Sequence, residues 1–166
     1  MTISQLRTNL ESSRQALFEL IRRLTEEQFR YTSAPDEWNI ATHLAHLLRI
    51  ESIFTERAAL ALREDGAFVA STGVTNEDDP GLAQRLAVPQ IIHGMLAARR
   101  ELEAALDGGG PQGLERALRH ERFGRMTVAQ IAEKMAAHER EHADSVRSLA
   151  GAAMASAPVI IPLAGR

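Results

Sequence analysis

The chain has 166 residues, 45 % of them hydrophobic, 25 % charged and only 4 % aromatic, with a formal net charge of −3. That suits one domain with a real core, leans helical because Ala, Leu, Arg, Glu and Gln dominate, and gives no general attraction to nucleic acid. The absence of cysteine excludes disulfides, thiolate metal sites and cysteine nucleophiles, so any transition-metal site has to use histidine and carboxylate.

No apolar run resembles a signal peptide or is long enough to span a bilayer, so a cytoplasmic protein with no membrane partner is expected. Lys134 is the single lysine, which reads as composition without functional weight.

Four helices are predicted. The first runs from about Ser4 to about Gln28, with Thr2 and Gln5 as a capping box and an apolar stripe of Leu6, Leu10, Leu17, Ile21 and Leu24. The second runs from about Ile40 to about Arg63, capped by Asn39, with Ile40, Leu44, Leu47, Ile50, Phe54 and Ala58 on its apolar face. Residues 65–87 form a long connection, with a short helical turn near Leu82 to Leu86. In a helix bundle such a connection crosses the whole length and lets successive helices run parallel.

The third helix begins near Pro89 and reaches about Leu106, before the stop Gly108-Gly109-Gly110-Pro111. The fourth opens on Thr127-Val128-Ala129-Gln130, a T-x-x-Q capping box, and reaches about Ala150. The domain is therefore residues 1–150. A tail, 151–166, with an apolar patch at Val159 to Ile161, is either loose or packed on a partner.

The chemistry is concentrated on the fourth helix. Val128, Ile131, Met135, His138, His142, Ser145 and Leu149 follow one another at helical steps, which puts both histidines on the apolar seam. Glu133, Arg140, Glu141, Asp144 and Arg147 carry the solvated face. Imidazoles one turn apart, about 5–6 Å at Cβ, can converge on one ion. Burying them without partners would cost several kcal/mol. A shared metal or bonds to neighbouring carboxylates and waters are the two ways of meeting that cost.

His138-Glu139 through His142 matches H-E-x-x-H, the zinc-protease helix. A protease needs a third ligand downstream, and after Glu141 only His142 remains among His and Glu. Ser148 stands where the extended form of that motif has its last His. The third ligand must come from upstream. His120, in an expected loop, and His93, near the start of the third helix, read as surface residues. His43 and His46 both lie on the second helix, where His43 falls nearer the middle of the apolar face and His46 toward its edge. Periodicity does not choose between them.

Two stretches resemble the DinB/YfiT-like family of metal-dependent enzymes (unrelated to the DNA polymerase that shares the first name). DEWNIATHLAHLLRIE, 36–51, is similar to the family's W-S-x-x-E-x-L-x-H-L pattern, in which a Trp precedes a ligand His by eight residues. Trp38 then points to His46. FGRMTVAQIAEKMAAHEREH, 123–142, is similar to the G-x-L-T segment leading into H-x-x-x-H, which maps onto His138 and His142. Asn39 replaces the family's Ser and Thr42 its Glu.

The resemblance implies an all-α four-helix bundle in up-down-down-up order, with a long crossover between the second and third helices. It implies a divalent metal, zinc or nickel, on His46, His138 and His142. It further implies a homodimer and, in some relatives, a transferase or isomerase reaction on a small-molecule substrate with a low-molecular-weight thiol. A metal bound by three imidazoles makes a water or a thiol acidic enough to serve as nucleophile, so hydrolysis and thiol transfer both stand. A non-catalytic bundle with a closed structural metal site, used for dimerisation, is the alternative.

Glu139 and Glu51 are the candidate catalytic carboxylates. Glu139 points about 100° from the ligand direction and is either a solvated residue or a base leaning toward the site. Glu51 lies in an apolar sector, where it either orients a ligand His or pairs with an Arg. Trp38 packs the helix start or walls the substrate. The pairs Arg22-Arg23 and Arg99-Arg100 read as solvated.

Overall fold

A computed structural model describes residues 1–71 and 80–156. Its elements are α1 (Ile3–Ile21), α2 (Glu26–Phe29), α3 (Ile40–Arg63), β1 (Phe68–Val69), α4 (Pro80–Arg85), α5 (Val88–Gly113), β2 (Ala117–His120), β3 (Gly124–Thr127) and α6 (Val128–Ser156).

The long helices α1, α3, α5 and α6 form the bundle. Their directions follow from who meets whom. Gly94 faces Leu48 and Gly109 faces Leu62, so α5 runs parallel to α3. Arg7 reaches Asp107 while Arg14 reaches the Met95 carbonyl, so α1 and α5 are antiparallel. His43 meets His142 and His46 meets His138, so α3 and α6 are antiparallel. The order is up-down-down-up, as expected. The connection after α3 carries β1 and α4, a helix close to the expected turn at Leu82 to Leu86.

Caps place the helix starts. Thr2 and Gln5 form the anticipated reciprocal box. The Asn39 side chain accepts from the Thr42 amide at 2.9 Å and so starts α3. Thr127 and Gln130 exchange bonds of 2.9 and 3.1 Å at the start of α6.

Three expectations are corrected. The first predicted helix is two: a second capping box, Thr25 with Gln28, starts α2 afresh after α1 has ended at Ile21. The third does not stop before the glycines. It continues to Gly113, broken only at Gly110 (φ 60°, ψ −173°), after which Pro111 opens a last turn. Gly109 and Gly113 serve close approach: a Cβ on either would come within 3 Å of Leu62. The fourth helix passes through Gly151 to Ser156, where Ala150 and Ala153 are still buried. The patch at Val159 to Ile161 lies outside the described residues.

A small sheet, β1-β2-β3, also forms, and the helical composition gives no warning of it. β1 pairs parallel with β2 (Phe68 with Arg119), and β2 pairs antiparallel with β3 (Ala117 with Thr127). Its function in the fold is positional, since the β2–β3 segment brings His120 and Phe123 to line a pocket shared with α3 and α6.

The core contains an ionic layer. Each bundle helix has one charged residue where its apolar stripe should continue: Arg14 between Leu10 and Leu17, Glu51 between Leu47 and Phe54, Arg99 between Met95 and Leu102, Glu139 between Met135 and Ala143. Both glutamates are 0 % exposed and both arginines 6 %. Arg14 binds Glu51 and Glu139 and donates to the Met95 carbonyl; Arg99 binds the same two acids and donates to the Leu10 carbonyl. Ser13 adds a hydroxyl donor to Glu139. The ring alternates in charge and sums to zero. Among the described residues no buried side-chain polar atom lacks a partner.

Candidate metal centre

Helices α3 and α6 lie side by side and antiparallel, so one-turn steps along each bring histidines face to face. The Nε2 atoms of His46 and His138 are 2.9 Å apart. The Nδ1 atoms of His43 and His142 are 2.8 Å apart. The ring of His142 also lies 4.5 Å from that of His138 and 4.7 Å from that of His46, centre to centre. One nitrogen from each of His46, His138 and His142 falls within 4.8 Å of the other two. Thus the three residues singled out in the sequence do come together. His43 adjoins them through His142, and His93 is exposed elsewhere on α5.

The rotation of α3 differs slightly from that of an ideal wheel of about 100° per residue. His46 is the buried member of the pair and His43 the half-buried one. On α6 the deeply buried line runs through Met135, Glu139, Ala143 and Val146, so His138 and His142 sit at its edge, facing the pocket, while Ser145 is exposed.

Burial, followed by repulsion from His46, lowers the His43 pKa to about 4. Burial, followed by repulsion from His138, His46 and His43, lowers that of His142 to about 3. Both rings are neutral near pH 7, the form in which an imidazole offers a lone pair. Two facing nitrogens 2.9 Å apart either share a proton or share a cation. With metal–nitrogen bonds of about 2.0–2.1 Å, ligands at right angles lie about 2.9 Å apart. The donor set, all nitrogen and no thiolate, therefore fits a divalent transition metal.

The neighbours set ring orientation. A Glu141 oxygen lies 3.5 Å from Nδ1 of His138, favouring a proton on that nitrogen and a lone pair on Nε2. Trp38 sits 5.2 Å from the rings of both His43 and His46 and stacks on His142 at 6.1 Å. It therefore walls the histidine cluster. The cluster opens on a pocket of about 640 Å³ whose floor is apolar, with Ile50, Ile53 and Phe54.

The two candidate carboxylates stand elsewhere. Glu139 is not solvated and does not lean toward the histidines, and Glu51 takes the arginine rather than the histidine option; both belong to the ionic layer. Arg99 is buried with them, against the expectation of a solvated face, whereas Arg22 and Arg23 are exposed as expected. His120 is buried at the end of β2 rather than on a surface loop. Arg14 and Ser13 were missed, although the seven-residue gap between Leu10 and Leu17 marks their place. Glu141, assigned only to the solvated face, is also the acid beside His138.

These features define a four-helix bundle with a three-histidine group compatible with metal binding. The chain belongs to the DinB superfamily, whose model matches residues 9–145. The crystal structure of TT2238, a four-helix bundle protein, is similar in fold, with a TM-score of 0.66 and 18 % sequence identity over 89 % of this chain and 99 % of that one. No curated protein matches the chain. Among the described residues no helix is long and apolar enough to cross a membrane.

Proposed function

We propose that this protein is a small metal-dependent enzyme in which His46, His138 and His142 hold one divalent cation, zinc or nickel, beside a pocket for a small-molecule substrate. The observation that carries the reading is where the histidine group lies. Three imidazoles line a pocket instead of lying inside a sealed core. A structural metal would be expected in a closed shell; a catalytic one needs an open side. The bound cation supplies Lewis acidity, which makes a water or a low-molecular-weight thiol acidic enough to act as nucleophile near neutral pH.

The chain's own residues do the rest. Glu141, 3.5 Å from Nδ1 of His138, favours the tautomer that leaves the Nε2 lone pair for the group. His43 braces Nδ1 of His142. Trp38 covers one side and keeps water from the rings, while Ile50, Ile53 and Phe54 offer an apolar bed for the substrate body. The ionic layer holds the rotation of α3 and α6, so that the two pairs of histidines face each other.

The test is elemental analysis of protein purified without a histidine tag, followed by assay against an electrophile with and without low-molecular-weight thiols. Close to one equivalent of zinc or nickel is expected. A rate that requires thiol selects the transferase reaction, and a rate independent of thiol selects hydrolysis. Protein that neither retains nor takes up one equivalent of metal would end the proposal.

A further inference from the structure

At the other end of the same pocket stand cations that form no ion pair with a described residue; Glu121, between His120 and Arg122, is engaged by the Ser71 amide at 2.7 Å. Arg57 is half-buried on α3, eleven residues after His46 and so on nearly the same helix face, about 16 Å further along the axis. Among the described residues it has no carboxylate or carbonyl partner, and burial alone lowers its pKa. Lys134 lies one turn before His138 on α6, and Arg122 lies at the tip of the β2–β3 turn; both flank the exposed ring of Phe123. Neither forms an ion pair with a described residue. Among the described residues that line the pocket, the only acid is Glu141, at the histidine end.

His120 completes this end. Its Nδ1 accepts the backbone N–H of Arg122 at 3.1 Å and of Phe123 at 3.4 Å. The proton of the neutral ring is therefore on Nε2, a donor with no partner among the described residues. Burial, and next the charge of Arg57, keep the ring neutral by lowering its pKa.

We propose that Arg57, His120 and Lys134 form an anion subsite, and that the pocket takes an elongated amphipathic acid with its carboxylate or phosphate there, its apolar body on Ile50, Ile53 and Phe54, and its far end at the histidines. A half-buried guanidinium has already lost part of its hydration and presents a fork that matches either anion. An unpaired cation in an apolar wall is costly to maintain, and an anionic ligand offsets that cost. The apolar stretch between the two ends sets the ligand length, on the order of 10 Å. As a substrate class, this rests on reading the pocket as the site of a metal-dependent reaction. As a binding site, it stands on Arg57 and its neighbours.

The experiment titrates the full chain with octanoate, octyl phosphate and octan-1-ol, following the fluorescence of Trp38, the only tryptophan. Each titration is repeated after chelator treatment and in His138→Ala. Both anions should bind at least about tenfold more tightly than the alcohol. Arg57→Gln should remove most of that preference and leave octan-1-ol unchanged, with its fold checked by circular dichroism. Lys134→Gln, at an exposed position, should give a smaller loss in the same direction. The preference should survive chelation and His138→Ala. Equal affinity for anion and alcohol, no effect of either cation variant, or loss of the preference with His138→Ala would overturn the subsite. Failure to hold metal with the preference intact would instead remove only the metal reading.

Discussion

Four histidines meet at this site, and they are not equivalent. His46 faces His138 through Nε2, whereas His43 meets His142 through Nδ1. Loss of a metal ligand and loss of a bracing residue differ in scale, the latter being typically 10–100-fold in affinity. His46→Ala is therefore expected to abolish stoichiometric metal retention, and His43→Ala to weaken it by roughly tenfold, both read by elemental analysis after dialysis. The reverse order would show that the wrong turn of α3 was chosen. The i, i+4 pair on α6 was legible because spacing alone puts both rings on one face. The choice between His43 and His46 was not legible from periodicity, because the two lie three residues apart and a small rotation of α3 exchanges which one is buried. Glu139 was misread for a related reason. A residue 100° from a ligand is solvated only if no helix packs there, and here α1 and α5 supply Arg14 and Arg99.

Helix starts were read well because a capping residue signals through its own side chain. Thr2, Asn39 and Thr127 each bond an amide three residues on, and the sequence contains both partners. Helix ends were read poorly. The run Gly108 to Pro111 looks like a stop, yet α5 continues, because glycine there lets Leu62 of α3 approach. Only Gly110 breaks the helix, in a conformation that is essentially glycine's alone. Gly110→Ala should therefore cost roughly 1–3 kcal/mol, measured by urea denaturation. A cost near zero would mean that the last turn of α5 rearranges freely. The sheet was invisible for a different reason. Its strands are two to four residues long and gain their pairing from distant segments, with Phe68 opposite Arg119.

The whole bundle is tied by its ionic layer, which brings one charged residue from each long helix into a neutral ring. Removing one partner of a buried ion pair costs about 3–5 kcal/mol, because the remaining charge is left uncompensated. Glu139→Gln should show a loss of that order in denaturant unfolding, with weaker metal retention as α6 loses its rotational anchor. Acid should destabilise the chelator-treated protein as well. His43 and His142 have folded pKa values of about 4 and about 3, below the ordinary 6.5, so the unfolded chain binds the extra protons. The stability they support is present above about pH 6.5 and is lost as pH falls through 4 and then 3. The urea midpoint should fall across that window, and less steeply in a His43→Ala, His142→Ala double variant. The helical class, the four long segments, their starts and the His138–His142 pair were all readable from residue order, since each depends on neighbours within about one turn. Why His46 is more buried than His43, why charged residues interrupt four apolar stripes, and what the single lysine and Arg57 face were decided by packing. Those depend on residues tens of positions apart, and one helix cannot specify the face its neighbour will present.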